Sequence, residues 1–292
     1  MTNSWNSYIF ISMRLPDWIR TRNRAENHDT KHLLRRHNLS TICEEARCPN
    51  RDECFAKPTA TFMILGSGCT RNCGFCAVRS FSPERVDEVE PENVAAAAEE
   101  LRLRYIVITS VTRDDLQDGG AAQFAETVRA VRRRIPSARI EVLTPDFLGN
   151  MSSLRTVLDA GPDVFNHNVE TAARLYPAVR PDADYERSLF VLQQAKKIAP
   201  DIFTKSGFML GLGEEYDEVI GILRDLRKVG CDFVTIGQYL RPAKGNLPVV
   251  EYILPEVFED VRMQALDMGF KYVASGPLVR SSMNAEEMFE HA

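Results

Sequence analysis

The sequence predicts an α/β protein built as a partial (β/α)6 TIM-like barrel, with N-terminal and C-terminal extensions closing over the barrel mouth. Three observations carry this reading. From Thr61 onward, short apolar runs alternate six times with helix-like stretches, the signature of parallel strands joined by right-handed crossovers. Polar residues and glycines recur at the C-terminal ends of those runs: Thr109 and Ser110, Asn168 and Glu170, Gly211 to Glu214, and Gln238. In barrels the active site gathers at that face. The first sixty residues, by contrast, are polar, charged and short of strand patterns. The alternation alone also fits a doubly wound sheet, and the polar strand ends favour the barrel.

Taken in order, residues 1–60 read as an extension, 61–270 as the barrel and 271–292 as a C-terminal segment. In the extension, "KHLLRRHNLSTICEEARCPNRDEC" reads as a helix followed by an irregular, cysteine-bearing stretch. The six strand candidates are "TFMIL", "YIVITS", "IEVLT", "DVFNHNVE", "FTKSGFMLG" and "DFVTIGQYL". Between them lie "PENVAAAAEELRLR", "AAQFAETVRAVRRR", "MSSLRTVLDAG", "ADYERSLFVLQQAKKIA" and "EEYDEVIGILRDLRKVG". Pro91 and Ser152 fall near helix starts, and Gly161 and Gly230 where helices are expected to end. "YVASGP" supplies a further strand candidate. Six units leave the barrel open, with a mouth wide enough for a bulky substrate.

Composition bounds the function. The 292 residues, 44% hydrophobic and 26% charged, describe an ordinary globular chain. A net charge of −5 argues against non-specific nucleic-acid binding. The run Arg132-Arg133-Arg134 reads as the solvated end of a helix rather than a docking patch. No apolar stretch reaches membrane-span length. The opening "MTNSWNSYIFISMRLPDWIR" has a short apolar patch but no basic leader or small-residue cleavage site, so a cytoplasmic protein without a membrane partner is expected.

Seven cysteines in such a chain point to metal or redox chemistry rather than disulfides. Six fall between Cys43 and Cys76, and Cys231 stands apart as a small buried hydrophobe. "CTRNCGFCA" places Cys69, Cys73 and Cys76 after the first barrel strand. A structural zinc site wants four ligands, and the nearest histidines, His37 and His167, stand at no zinc-finger spacing. Three thiolates on a 4Fe–4S cluster leave one iron open to a small molecule. Cys43, Cys48 and Cys54 form a second triad, C-x4-C-x5-C. Two triads demand two clusters, or one cluster and one zinc ion.

The CxxxCxxC motif with Phe75 before its last cysteine resembles the radical S-adenosylmethionine superfamily. "GFMLGLGE" and "HNVE" resemble that superfamily's cofactor-binding segments. With C-x4-C-x5-C upstream, the chain resembles the lipoyl synthases, and "ITSVTRDDLQDGGA", "HNVETAARLYPAVRPDADYERSL", "TKSGFMLGLGE", "TIGQYLRPAKGNLPV" and "GPLVRSS" extend the match along nearly the whole chain.

The resemblance implies two 4Fe–4S clusters and S-adenosyl-L-methionine as cofactors. It implies that Cys69, Cys73 and Cys76 hold the cluster that opens S-adenosylmethionine to a 5′-deoxyadenosyl radical. Cys43, Cys48 and Cys54 hold an auxiliary cluster consumed as the sulfur source, with Ser282 of Arg280-Ser281-Ser282 closing its last iron. Asn168, Glu170, Lys205 and Gly211 are the implied cofactor-binding residues, and no side chain is expected to act as a catalytic acid or base. The implied reaction inserts sulfur at carbons six and eight of an octanoyl-lysine on lipoyl carrier domains (2-oxoacid dehydrogenase E2 subunits and the glycine cleavage H protein). An electron donor such as flavodoxin or ferredoxin and an iron–sulfur carrier are the further partners. Two departures from the family pattern stand out: Met283 where tyrosine is usual and Asn246 where histidine is common. Another radical sulfur-inserting or methylthio-transferring enzyme and a zinc-stabilised non-catalytic module are the alternatives.

Overall fold

The computed structural model of the chain describes residues 15–19, 28–51, 54, 61–78, 80–283 and 285–291. Most of the opening apolar patch and parts of the cysteine-bearing stretch lie outside them. A single eight-stranded sheet runs in sequence order from β1 to β8. The six predicted strands are β2 (Thr61–Ile64), β3 (Tyr105–Ser110), β4 (Arg139–Leu143), β5 (Val164–Asn166), β6 (Phe203–Leu210) and β7 (Phe233–Gln238). All pair in parallel. The candidate strand near "YVASGP" forms as β8 (Tyr272–Gly276), parallel to β7. A two-residue strand, β1 (Ser40–Thr41), pairs antiparallel with β2 and ties the N-terminal extension to the sheet. The sheet is open, as six units predict.

The crossover helices follow the sequence reading. Helix α1 (His28–Arg36) lies in the extension, where Leu33 and Leu34 bury into the main core. Helices α2 (Ile42–Glu45), α3 (Glu90–Glu100), α4 (Ala121–Arg134), α5 (Met151–Leu158), α6 (Tyr176–Val179), α7 (Tyr185–Ile198), α8 (Tyr216–Lys228), α9 (Pro255–Asp267) and α10 (Ala285–Glu290) complete the fold. Pro91 opens α3. Asn150, rather than Ser152, caps α5, accepting from the amides of Ser152 and Ser153. Beyond α8, Gly230 takes φ 82° and Cys231 N donates back to Leu226 O at 3.0 Å, a left-handed helix stop. The basic end of α4 is consumed by ion pairs: Arg133 with Glu92, Arg134 with Glu92 and Glu99, and Arg132 with Asp163. It is a solvated helix end. Cys231 is buried, with burial first among the causes that push its thiol up to about 12.

The last residues do more than cover the mouth. Helix α10 packs Met288 and Phe289 against Tyr105, Val164, Phe203 and Phe233, residues at the N-terminal ends of their strands. Phe289 meets Phe203 edge-on at 5.5 Å, and the Arg139 guanidinium lies over the Phe289 ring, 4.8 Å from its centre. The C-terminal segment therefore reaches from the mouth to the floor of the barrel. No helix among the described residues is long and apolar enough to cross a membrane.

Candidate active site

A cavity of about 630 Å³ opens at the C-terminal ends of the strands. Both cysteine triads, Asn168, Glu170, Arg180 and the Arg280 to Met283 segment line it. Residues more than two hundred positions apart thus share one chamber, as the barrel reading requires.

The loop from Cys69 to Cys76 is fixed by buried charge. Arg71, 5% exposed, grips Asp114 with Nε at 2.7 Å and Nη2 at 3.0 Å. It also grips Asp146 with Nη1 at 3.1 Å and Nη2 at 2.6 Å. Such paired, planar contacts are peculiar to arginine. Burial alone would push the Arg71 guanidinium down, but the two carboxylates outweigh it and hold it above its ordinary range. Burial likewise pushes Asp146 up, and Arg71 with Arg187 overrides it, so the carboxyl lies well below the usual range. Further ties run along the loop. Thr70 Oγ donates to Thr112 O at 3.0 Å, Asn72 N to Asp182 at 3.1 Å, and Gly74 N to Val179 O at 2.9 Å. From the opposite side, Asn246 Nδ2 donates to Cys76 O at 2.7 Å and to Gly74 O at 3.3 Å.

The second triad is held by helical turns. Thr41 caps α2, Cys48 N donates to Cys43 O at 3.1 Å, and Cys54 N to Asn50 O at 2.9 Å. Asn50, buried, reaches the C-terminal segment: its Nδ2 donates to Leu278 O at 2.6 Å and to the Met283 sulfur at 3.3 Å. Arg280 lies against the same triad. Burial holds its guanidinium below the ordinary range, and facing Cys48 opposes that shift. Gly237 makes this approach possible, since a Cβ there would stand 2.2 Å from Val279 O.

The two serines of the segment differ. Ser281 Oγ donates to Asn168 Oδ1 at 3.1 Å and accepts from Asn166 Nδ2 at 3.0 Å. Ser282 also lines the cavity, and among the described residues no hydrogen bond holds its hydroxyl. Asn168 Nδ2 passes the chain on to Glu170 Oε1 at 3.0 Å, so these two residues share a face, as the strand spacing predicts. The predicted strand ends early, at Asn166. Beyond it Glu170 takes φ 67°, a conformation that costs an L-residue about 1–3 kcal/mol and clusters at functional sites. Burial pushes its carboxyl up, and Arg180 opposes this. His167 is pushed down to about 4, first by burial and then by Arg180, so it is neutral at pH 7.

Two expected cofactor residues stand outside the cavity lining. Lys205 lies beneath it, fully buried, its Nζ on Glu141 at 3.0 and 3.1 Å. Glu141 in turn accepts from Asn166 at 2.7 Å and from Tyr105 OH at 2.7 Å. Gly211 faces Gln238 and the Glu251 carbonyl, where a Cβ would come within 2.1 Å and 2.6 Å. Gly207 and Gly237 are the glycines that line the cavity.

The sequence profile of the Radical SAM superfamily matches residues 63–226. A lipoyl synthase of Caldicellulosiruptor saccharolyticus is 54% identical over 279 residues, covering 95% of this chain and 98% of that protein. One of Rubrobacter xylanophilus is 53% identical, covering 95% and 87%. This chain belongs to the lipoyl synthase family. Among solved structures, methylornithine synthase (PylB) superposes with a TM-score of 0.54 at 15% identity, covering 86% of this chain and 82% of that one. SuiB of Streptococcus suis bound to S-adenosylmethionine gives 0.56 at 11% identity, covering 75% and 51%. These two share the fold.

As in any lipoyl synthase, the cofactors are 4Fe–4S clusters and S-adenosylmethionine, and the thiols fit them. Burial, with mutual repulsion inside each triad, pushes Cys43 and Cys76 up to about 12 and raises Cys73. Thiols so placed keep their protons until a metal displaces them. Among the described residues no three His, Cys, Asp or Glu side chains stand close enough to share one ion. The sequence reading did not single out Arg71, Arg180 or Asn166 of this site, whereas Gly207 opens the glycine-rich segment it did mark. Arg180 was signalled only by its four-residue offset from Tyr176, whose hydroxyl accepts from it at 3.2 Å.

Proposed function

We propose that this lipoyl synthase family member inserts sulfur at carbons six and eight of an octanoyl-lysine on a lipoyl carrier domain. The observation that carries this is the convergence of both triads and the Arg280–Ser282 segment on one cavity. When bound, the Cys69–Cys73–Cys76 cluster supplies an electron to S-adenosylmethionine, and the Cys43–Cys48–Cys54 cluster supplies sulfur.

The chain's own residues bind, orient and exclude water. Asn168 and Glu170 take the ribose and methionine groups of the cofactor. Arg180, nearly buried, has no partner on its Nε and lies beside Glu170 and Cys73. It is placed to pair with a carboxylate. Lys205 acts at one remove, through Glu141 and Asn166, on Ser281. Gly211 lets Gln238 close on its strand. Ser282 closes the auxiliary site, since Ser281 is already engaged on both sides. Ile42, Met209, Leu240 and Val279, all in the lining, give the octanoyl tail an apolar wall. Unactivated C–H bonds resist acid–base catalysis, and no paired carboxylates are needed here. Residues 1–60, 61–270 and 271–292 serve as auxiliary-cluster extension, barrel and serine-bearing segment. The setting is cytoplasmic, with flavodoxin or ferredoxin as reductant and an iron–sulfur carrier for repair.

The test is anaerobic assay of the reconstituted protein on an octanoylated carrier domain. Lipoyl formation with 5′-deoxyadenosine release is expected, and release without sulfur insertion would contradict the reading. Glu170→Ala should weaken S-adenosylmethionine binding about ten-fold or more, as loss of a charge-assisted contact implies, while iron content stays at wild-type level.

A further inference from the structure

The loop between β7 and α9 is exposed yet rigidly held. Tyr239 OH donates to Leu247 O at 2.7 Å, Gln238 Nε2 to Glu251 O at 2.9 Å, and Val250 N to Gly211 O at 2.9 Å. Leu247 N and the Asn246 amide fasten it to the Cys69–Cys76 loop. Between these anchors, Arg241 and Lys244 point into solvent. Arg241 donates to Lys244 O. Arg47 of the N-terminal extension meets the same loop, donating to Pro242 O at 3.5 Å. Arg47 and Arg241 line the cavity mouth.

None of these three cations forms an ion pair with a described carboxylate. Some exposed arginines elsewhere are paired, Arg104 with Glu286, Arg129 with Glu126, Arg174 with Glu218 and Arg262 with Glu259, and others such as Arg102 and Arg155 are not. Arg47, Arg241 and Lys244 differ in meeting at one loop, with Arg47 and Arg241 on the cavity mouth. The chain carries a net charge of −5. An acidic partner is therefore repelled by much of the surface and attracted where unpaired cations gather. Loop rigidity adds to this, because a preorganised surface loses less entropy when a partner docks.

We propose that Arg47, Arg241 and Lys244 form a docking rim for an acidic surface around the acylated lysine of the carrier protein. The inference rests on the proposed function, and it assigns carrier recognition to a built part of the mouth rather than to the acyl chain alone. The rim brings together the extension that bears one triad and the loop that clamps the other. A carrier seated there delivers its arm between the two triads.

The test compares two double variants with equal change in net charge, Arg241→Glu/Lys244→Glu and Arg129→Glu/Arg262→Glu. Binding of an octanoylated carrier domain to the intact protein is titrated without turnover, at low and high salt. The rim variant should bind about ten-fold or more weakly at low salt, with a flatter salt dependence, and Arg47→Glu should weaken it further. The control should bind like wild type. Affinity for a short, uncharged octanoyl-lysine peptide should be the same in all. Unchanged carrier affinity in the rim variant, or equal loss in the control, would overturn the docking rim. If the rim variant's melting shows misfolding, Arg241→Gln/Lys244→Gln replaces it under the same criteria. Because the readout is binding, failure of sulfur insertion in wild type would overturn the proposed function separately.

Discussion

The two cysteine triads share a cavity but are held in opposite ways. Cys69, Cys73 and Cys76 sit in a loop bolted to the barrel by Arg71, which is buried against Asp146 and reaches out to the partly exposed Asp114. Cys43, Cys48 and Cys54 ride on short helical turns, joined to the C-terminal segment through the Asn50 amide. The triad proposed to serve in every cycle sits in a loop anchored to the barrel by buried charge. A site proposed to give up its sulfur hangs on the extension, beside a segment whose Ser282 hydroxyl makes no hydrogen bond among the described residues. An oxygen ligand on a soft thiolate cluster is also the easiest to lose.

The comparison breaks most completely at the embedded triad. Replacing Cys69, Cys73 and Cys76 with alanine should abolish 5′-deoxyadenosine formation while about four irons per chain remain. Release of 5′-deoxyadenosine by that variant would refute the assignment. Next in size is the anchor. Arg71→Ala leaves buried Asp146 without its main counter-charge and should cost about 3–5 kcal/mol of stability, measured by urea unfolding. Arg71→Lys should recover only part, because an ammonium cannot grip both carboxylates in parallel pairs. The anchor also has a pH signature. Asp146 is depressed when folded, so its contribution is full above its unfolded value of about 4 and is lost as pH falls further. Asp146→Asn should flatten that acid-side loss, and an unchanged acid profile would remove Asp146 from the anchor.

The smallest effect separates the serines. Ser281→Ala loses hydrogen bonds to Asn166 and Asn168 and should cost about 1 kcal/mol, with iron content unchanged. Ser282→Ala should leave stability near wild type yet impair turnover. Reversed outcomes, read by iron analysis and thermal melting, would exchange their roles.

Much of this was legible in the sequence because it is local. The strand and helix runs carry their own periodicity, and cysteine spacing states the ligand count. What stayed hidden is long-range. Arg71 meets Asp146 across 75 positions and Ser281 meets Asn168 across 113, and no local pattern encodes such pairings. Lys205, a cofactor-binding residue by resemblance alone, is held by Glu141 outside the cavity lining, a long-range pairing that no local pattern shows. Helix α10, six residues long, is too short for a periodic signal, though it fills the barrel floor. The two departures resolve into contacts: Asn246 clamps the Cys76 carbonyl, and Met283 receives the Asn50 amide.

The division of labour between the triads is tested most directly by replacing Cys43, Cys48 and Cys54 with alanine. The variant is purified anaerobically, reconstituted, and assayed with an octanoylated carrier domain, S-adenosylmethionine and a reductant. We predict that 5′-deoxyadenosine is still formed and that no lipoyl group appears. Lipoyl groups made by this variant over repeated turnovers would contradict the account and leave the N-terminal triad a purely structural part of the fold.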